Sequence, residues 1–330
     1  MADNPFWITG GTLLSVRMPS RAHVTALILG VSFLSAVHAV ADDGQDQFVV
    51  AGYLPHYRVT EVVPESLKPL TDLIYFGLTP PADGRLAGTP VDPAVLKKLH
   101  EIKRVTGCRL LLCVGGWNRS QGFVALGPRE KLRKQLVAEL LAFCRNNGFD
   151  GVDFDWEHPK GPAELAAYRA LLADTRKSFG PPGLLVTVAL ASWQNLGKSA
   201  YTTVDRVHLM SYDHDYPQAT LEKTRKDVDR LIGWGCPAGK IAMGLPFYGR
   251  NRARGAHSYR QLVGNRMPDP DRDEINGYAF NGPSTLARKI RHARQRKLAG
   301  VMIWEAGQDH PREEFSLLKV IGRQVGRGAR

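Results

Sequence analysis

From Phe48 onward, short apolar runs rich in β-branched residues alternate with stretches of helical period. Eight runs recur: Phe48 to Leu54, Leu73 to Leu78, Leu110 to Gly115, Gly151 to Glu157, Leu184 to Ala191, Val207 to Tyr212, Ile241 to Leu245 and Val301 to Glu305. Each predicts a strand. Between them, Leu132, Leu136, Leu140 and Phe143, then Leu165, Tyr168, Leu172 and Thr175, then Leu286, Ile290 and Ala293 behind a Ser284 cap, predict amphipathic helices. Eight alternations in about 260 residues suit an α/β fold closed as a single (β/α)8 barrel. An open doubly wound sheet is the alternative.

The longest connection, Tyr248 to Gly300, holds the helix from Ser284 and a decorated loop, Asn251 to Gly282, too short for an independent domain. Basic residues gather there and in the helix: Arg250, Arg252, Arg254, Arg260, Arg266, Arg272, Arg288, Lys289, Arg291, Arg294, Arg296 and Lys297. They read as a solvated face or as a surface for an anionic wall or polymer. The helix interleaves no aromatic residues of the kind a nucleic-acid stacking surface uses, and no nucleic-acid partner is expected.

The chain is 43% hydrophobic and 23% charged, with 33 Gly and 21 Pro scattered along it, which excludes disordered, collagen-like and low-complexity classes. The formal charge is +12. Residues 22–41 lack Asp, Glu, Lys and Arg, follow Arg17 and Arg21, and end in Ala39-Val40-Ala41. That pattern predicts a secretory signal with translation starting at Met18, so that residues 1–41 are an extension plus leader and 42–330 the exported, secreted or periplasmic domain. A single N-terminal membrane anchor is the alternative. Removing residues 1–41 takes away Arg17, Arg21 and Asp3 and leaves +11. Four cysteines (Cys108, Cys113, Cys144, Cys236) in so long a chain do not form a disulfide framework; Cys144 is a candidate partner for Cys108.

The fourth run is the informative one. In Asp150-Gly151-Val152-Asp153-Phe154-Asp155-Trp156-Glu157, strand alternation points Asp153, Asp155 and Glu157 to one face, about 6.6 Å per step. In a barrel that face is the interior, where charge is costly without a purpose, and Glu157 falls at the C-terminal end, where barrel enzymes keep their chemistry. Val152, Phe154 and Trp156 then face the helices. Crowding and desolvation predict that at least one of the three acids stays protonated near neutral pH, as a general acid requires. Asp150 has the opposite parity and is expected to be structural. A calcium loop is excluded because His158 stands where its glycine belongs; a carboxylate metal site remains an alternative.

This Asp-x-x-Asp-x-Asp-x-Glu pattern resembles the signature of glycoside hydrolase family 18, the chitinases and their relatives. Gly52-Tyr53, Val114-Gly115-Gly116-Trp117, Met210-Ser211-Tyr212-Asp213, Gly244 to Arg250 and Gly300 to Trp304 resemble further family motifs in family order, from about Phe48 to Asp309. The resemblance implies substrate-assisted hydrolysis of β-1,4-linked N-acetylglucosamine polymers, chitin or chito-oligosaccharides, in which the sugar's 2-acetamido oxygen is the nucleophile. Glu157 would be acid and then base, Asp155 would orient the acetamido N–H, Asp153 would share a proton with Asp155, and Tyr212 would align the acetamido oxygen. Retention of configuration, no metal and no cofactor follow. Trp304 matches the floor of the cleavage subsite, and Tyr53, Phe76, Met210, Asp213, Tyr248 and Arg250 match residues around it. Trp117 is a candidate for a neighbouring sugar, and Trp193, without a motif, for another. Core packing is the alternative for any one aromatic, and for Met210.

Two residues depart from the family pattern. Cys113 stands where Ser is usual, a weaker hydrogen-bond partner for Asp153, and His158 follows Glu157 where Tyr is common. The large α+β insertion of some members is absent or much reduced, which predicts a shallow, open cleft suited to internal cleavage. The chain is expected as a monomer without a stable membrane anchor. Endo-β-N-acetylglucosaminidase or peptidoglycan-type hydrolysis is the alternative within the enzyme class, and a chitinase-like lectin the alternative outside it.

Overall fold

The computed structural model describes residues 48–327 apart from positions 87, 89, 267 and 268. The leader, start-site and anchor readings for residues 1–41 lie outside the described residues. No described helix is long and apolar enough to cross a membrane.

Eight parallel strands close into a barrel: β1 (Val49–Pro55), β2 (Asp72–Leu78), β3 (Arg109–Gly115), β4 (Gly151–Asp155), β5 (Leu185–Ala191), β6 (Arg206–Met210), β7 (Ile241–Pro246) and, after four short strands, β12 (Gly300–Trp304). Because β1 pairs with both β2 and β12, the sheet has no edge and the open-sheet alternative is ruled out. The helices are α1 (Pro93–Thr106), α2 (Gln121–Leu126), α3 (Glu130–Asn146), α4 (Gly161–Phe179), α5 (Lys198–Thr203), α6 (Leu221–Gly233), α7 (Tyr259–Val263), α8 (Pro283–Gln295) and α9 (Leu317–Val325).

Strand parity divides the interior into two cores. Val50, Leu112, Val152, Phe154, Val188, Leu209, Met243 and Ile303 point outward into one large cluster that includes Leu136, Leu140, Leu171 and Ile290 of the helices. Inward positions make a smaller cluster with Ala51, Tyr53, Ile74, Leu111, Cys113, Ala242 and Met302. Strands covered on both sides read as nearly continuous hydrophobic runs, which is why the eight segments stand out in the sequence.

Four expectations need correction. Strand β4 ends at Asp155, so Glu157 lies past its edge. Helix α8 begins at Pro283 with Gly282 as its N-cap and no side-chain cap. Pro283 supplies the first helical φ, Ser284 falls inside the first turn, and Asp273 anchors the start by accepting from Gly282 N at 2.8 Å and Thr285 Oγ1 at 2.6 Å. The connection after β7 is more than a loop: β8 (Tyr248–Arg250), β9 (Ala256–Ser258), β10 (Glu274–Ile275) and β11 (Tyr278–Ala279) form an antiparallel sheet ordered β10-β11-β8-β9. All four cysteines are free and buried, which removes the Cys108–Cys144 pairing.

Asp150 is structural as expected, accepting from Lys103 Nζ at 2.6 Å and from Leu110 N at 2.7 Å at the entrance to β4. The floor of the barrel is polar too. Asp72, fully buried at the start of β2, accepts from Arg109 Nε at 2.6 Å and Thr71 Oγ1 at 2.7 Å, with Arg206 NH2 3.2 Å away. Burial alone would raise its pKa; the Arg206 and Arg109 charges outweigh burial and hold it below the usual carboxylate value. A depressed folded pKa means that this carboxylate's contribution is present at neutral pH and lost as pH falls through that value. Asp72→Asn leaves buried Arg206 without its counter-charge, and the expected cost is about 3–5 kcal/mol. Thermal unfolding at pH 7 measures it; an unchanged midpoint would contradict this account of the floor.

Candidate active site

Three carboxyls rise along the barrel axis toward the C-terminal mouth. Lowest is Asp153, fully buried and opposite Cys113 in the β3–β4 register. It accepts from Tyr53 OH at 2.5 Å, Thr187 Oγ1 at 2.5 Å and His208 Nδ1 at 2.9 Å. Burial and then the Asp153 charge push both the Tyr53 phenol and the Cys113 thiol well above their usual values, keeping both protonated.

Asp155, the next inward residue, turns to Glu157, and the two carboxyls hydrogen-bond to each other. Burial first, then the charges of Glu157 and Asp153, raise Asp155 well above the usual carboxylate value. Its Oδ1 is buried without a hydrogen-bond partner among the described residues. Glu157 is raised to about 7, chiefly by burial; the Asp155 hydrogen bond opposes this and the Asp213 charge adds to it.

The backbone around the pair is clamped. Ser120 Oγ accepts from Glu157 N at 2.9 Å and lies 3.2 Å from Asp155 O, while Gly116 N donates to Asp155 O at 2.6 Å. That close approach explains Gly115 at the end of β3, where a Cβ, at φ 105°, would stand 2.2 Å from Asp155 O; a Cβ on the next residue, Gly116, would stand 2.3 Å from the Phe76 ring.

A cavity of about 950 Å³ opens above, lined by Tyr53, Asp155, Glu157, Met210, Tyr212, Asp213, Arg250, Trp304 and Trp117 among others. These are nine of the twelve residues that the family motifs singled out, and Trp193, the candidate without a motif, lines the cavity as well. The other three support the lining from behind: Asp153 below, Phe76 edge-on to Trp304 with centroids 5.0 Å apart, and Tyr248, whose OH donates to Asp213 Oδ1 at 2.7 Å. Trp304 also leans on Tyr53, centroids 5.6 Å apart. Arg250 pairs with Asp213. Among the described residues Tyr212 OH has only the Met302 sulfur, 3.8 Å away, as a partner, and burial raises its pKa well above the usual phenol value. Among the described residues, no group of three His, Cys, Asp or Glu side chains is arranged to hold a metal.

His158 also lines the cavity. Gln194 Oε1 accepts from Ala191 N at 3.3 Å, which fixes it as the amide oxygen, so His158 Nδ1, 3.1 Å from it, carries the proton and Nε2 lies 3.5 Å from Glu157 Oε2. The ring makes edge contacts with Trp193 and Trp117, at centroid distances of 4.7 and 6.3 Å; both indoles are about two-thirds exposed.

Sequence reasoning missed Ser120, Thr187 and His208. Thr187 and His208 carry a signal in retrospect, for they share inward parity with Ala189 and Met210 on their strands. Ser120 carries none, because its contacts depend on how the segment after β3 closes. The cavity's second wall, with His214, Asp227 and Arg230, was not anticipated either.

An eight-stranded barrel with an acid column at its C-terminal mouth defines the class of barrel hydrolases whose site is built from the ends of strands. The sequence profile of glycosyl hydrolases family 18 matches residues 49–309, and the chain belongs to that family. It is 27% identical over 284 residues to "Probable chitinase 2" of Drosophila melanogaster, covering 65% of this chain and 58% of the relative. It is 26% identical over 274 residues to "Chitinase 1" of Aphanocladium album, covering 64% of each. The matches thus span about six-tenths of those relatives' lengths. A solved chitinase from Bacteroides thetaiotaomicron superposes with a TM-score of 0.74 at 25% identity, covering 84% of this chain and 96% of that one.

The raised Glu157 has a consequence for stability. Folding favours its protonated form, so its contribution is complete below the unfolded value and is lost as pH rises through about 7. Glu157→Gln, a neutral isostere, is expected to unfold at a higher temperature than the wild type at pH 8, by about 1–3 kcal/mol, with the difference gone by about pH 4, below the usual glutamate pKa. Equal midpoints at both pH values would show that Glu157 is not held protonated by its surroundings.

Proposed function

We propose that this chain is a retaining glycosidase acting on β-1,4-linked N-acetylglucosamine polymers, chitin or chito-oligosaccharides, by substrate-assisted catalysis. The observation that carries the reading is the Asp155–Glu157 pair: two hydrogen-bonded acids at the cavity, one near neutrality and the other above it, with an unpartnered Asp155 Oδ1. The relatives named as chitinases support the substrate class.

In the first step the Glu157 proton passes to the glycosidic oxygen, the C1–O bond breaks, and the acetamido oxygen of the same sugar bonds to C1. Asp155 accepts from the acetamido N–H through its free oxygen, which turns that group toward C1 and stabilises the positive ring that forms. Tyr212, whose hydroxyl has only a thioether as partner among the described residues, orients the acetamido oxygen, an effect of position rather than of acidity. In the second step Glu157, now a carboxylate, takes a proton from water, whose oxygen bonds to C1 and releases the ring as the β-anomer. Trp304 forms the floor under this sugar, and the exposed indoles of Trp117 and Trp193 take the sugars beyond it. Cleavage needs protonated Glu157, so activity falls as pH rises through about 7. Residues 1–41 read as a cleaved leader, which fits export of the domain from the cytoplasm.

Wild type incubated with a soluble N-acetylglucosamine oligomer is expected to release β-anomer first, read by proton NMR, and Glu157→Gln to lose about 10²–10⁴-fold in kcat while still binding the oligomer. An α-anomer as first product would overturn substrate assistance. Binding without turnover in the wild type would point to the lectin reading, and cleavage only of peptidoglycan or N-glycan cores to a different substrate within the family.

A further inference from the structure

Below the reacting pair, the barrel holds Asp153 with an arrangement that the mechanism above does not use. Three donors converge on its two oxygens from three different strands: Tyr53 of β1 on Oδ2, Thr187 of β5 and His208 of β6 on Oδ1. Cys113, its register partner on β3, offers only a thiol, a weak donor. Thr187 Oγ1 also lies 3.4 Å from Val152 O, and Tyr53 OH 3.3 Å from His208 Nδ1, so each hydroxyl has a second neighbour. The His208 ring reaches both Asp153 and Tyr53 through one nitrogen, Nδ1, which lies nearer to Asp153 Oδ1, at 2.9 Å, than to Tyr53 OH. It is fully buried, stands edge-on to Tyr53 with centroids 5.9 Å apart, and its Nε2 has no partner among the described residues. A bare ring nitrogen there costs less than a bare N–H, so the proton sits on Nδ1 and points at Asp153.

We infer that His208 is a positioning residue of the site: its Nδ1–H holds Asp153 turned down and away from Asp155, the task for which β3 supplies only a thiol. This inference rests on the roles given above to Asp155 and Glu157. With every lone pair facing the donors engaged, Asp153 does not compete for the proton that Asp155 directs to Glu157. Remove the His208 donor and Asp153 is free to rotate upward, draw that proton from Asp155, and detach Asp155 from Glu157. His208 does not line the cavity, so the effect falls on turnover and on its pH dependence and leaves substrate binding alone. The charged and titratable groups that face this ring or Asp153 are Tyr53 on β1, Cys113 on β3 and Asp155 on β4. The Asp72–Arg206 pair lies toward the floor from β2 and β6.

The test compares His208→Leu, His208→Asn and the double variant Cys113→Ser/His208→Leu with the wild type and Glu157→Gln, using a soluble N-acetylglucosamine oligomer. His208→Leu is expected to lower kcat by about 10²-fold, the cost of a misplaced catalytic group, with KM within about twofold and the basic limb of the pH profile displaced. His208→Asn, whose amide nitrogen stands near the place of Nδ1, keeps kcat within about threefold, and Cys113→Ser restores about tenfold or more to His208→Leu by giving Asp153 a hydroxyl donor from β3. Carbon-13 NMR of the carboxyl groups reads the same displacement without turnover: the Asp155–Glu157 titration moves in His208→Leu and returns in the double variant. An unchanged pH profile and carboxyl titration in His208→Leu would overturn the inference, as would a loss of kcat that neither His208→Asn nor Cys113→Ser repairs. Activity surviving in Glu157→Gln would instead overturn the catalytic reading, and the carboxyl titration would still decide the role of His208.

Discussion

Three carboxyl groups in one buried column are the constraint on which the rest of the site depends. Stacked acids in a low-dielectric interior cannot all ionise, and each must find donors or keep a proton. The barrel resolves this by giving the three positions different surroundings. Asp153 takes three donors, Asp155 keeps its proton because of burial and two neighbouring charges, and Glu157, at the mouth, comes to rest near neutrality. The graded environment turns three chemically similar side chains into a carboxyl held by donors, a protonated neighbour and a usable acid. Its cost is visible in the inner core, where positions on β1, β5 and β6 carry Tyr53, Thr187 and His208 rather than aliphatic residues.

The outer shell can support that cost because strand parity separates the two tasks. Every outward residue of β4 packs against helices: Val152 and Phe154 directly, with Trp156 just beyond, stacked on Phe123 at 5.1 Å. The inward residues of the same strand do chemistry. At the floor, the Asp72–Arg109–Arg206 group is a charge cluster that ties β2 to its neighbour β3 and, across the barrel, to β6, at the end of the strands away from the mouth. Stability therefore resides mainly on the outer faces and at the floor, and the axis and mouth are left to the site.

That separation also governs how much was legible in the sequence. The eight strands were, because a strand covered on both sides is an unbroken apolar run, and the alternation in Val152-Asp153-Phe154-Asp155-Trp156 assigned faces before any coordinates did. Nine of the twelve residues that the motifs placed at the site line one cavity together with Trp193, and the other three stand directly behind them. Thr187 and His208 escaped notice because a lone polar residue in an apolar run acquires meaning only when closure places it against a particular neighbour. Ser120, thirty-odd residues before the backbone it clamps, is the same case without any periodic signal. The small sheet was read as loop because Glu274–Ile275 and Tyr278–Ala279 are too short to show a period. The expected Ser284 cap failed locally, since Pro283 starts the helix and Gly282, two residues before Ser284, is the N-cap.

The small sheet is more than decoration of the barrel. Strand β8 follows β7 after a single residue, Phe247, and places Tyr248 and Arg250, two positions apart and so on one face, against Asp213. Asp213 is the charge that raises Glu157 from outside the column. An Arg250 ion pair and a Tyr248 hydrogen bond on that carboxylate spread its charge and fix its distance from the acid. The position of Glu157 on the pH scale is therefore set from two sides: from below by Asp155, whose own proton depends on how Asp153 is held, and from above by a carboxylate that the sheet anchors. A connection too short to be a domain in its own right thus takes part in tuning the acid, and it does so through one carboxylate three residues past the end of β6.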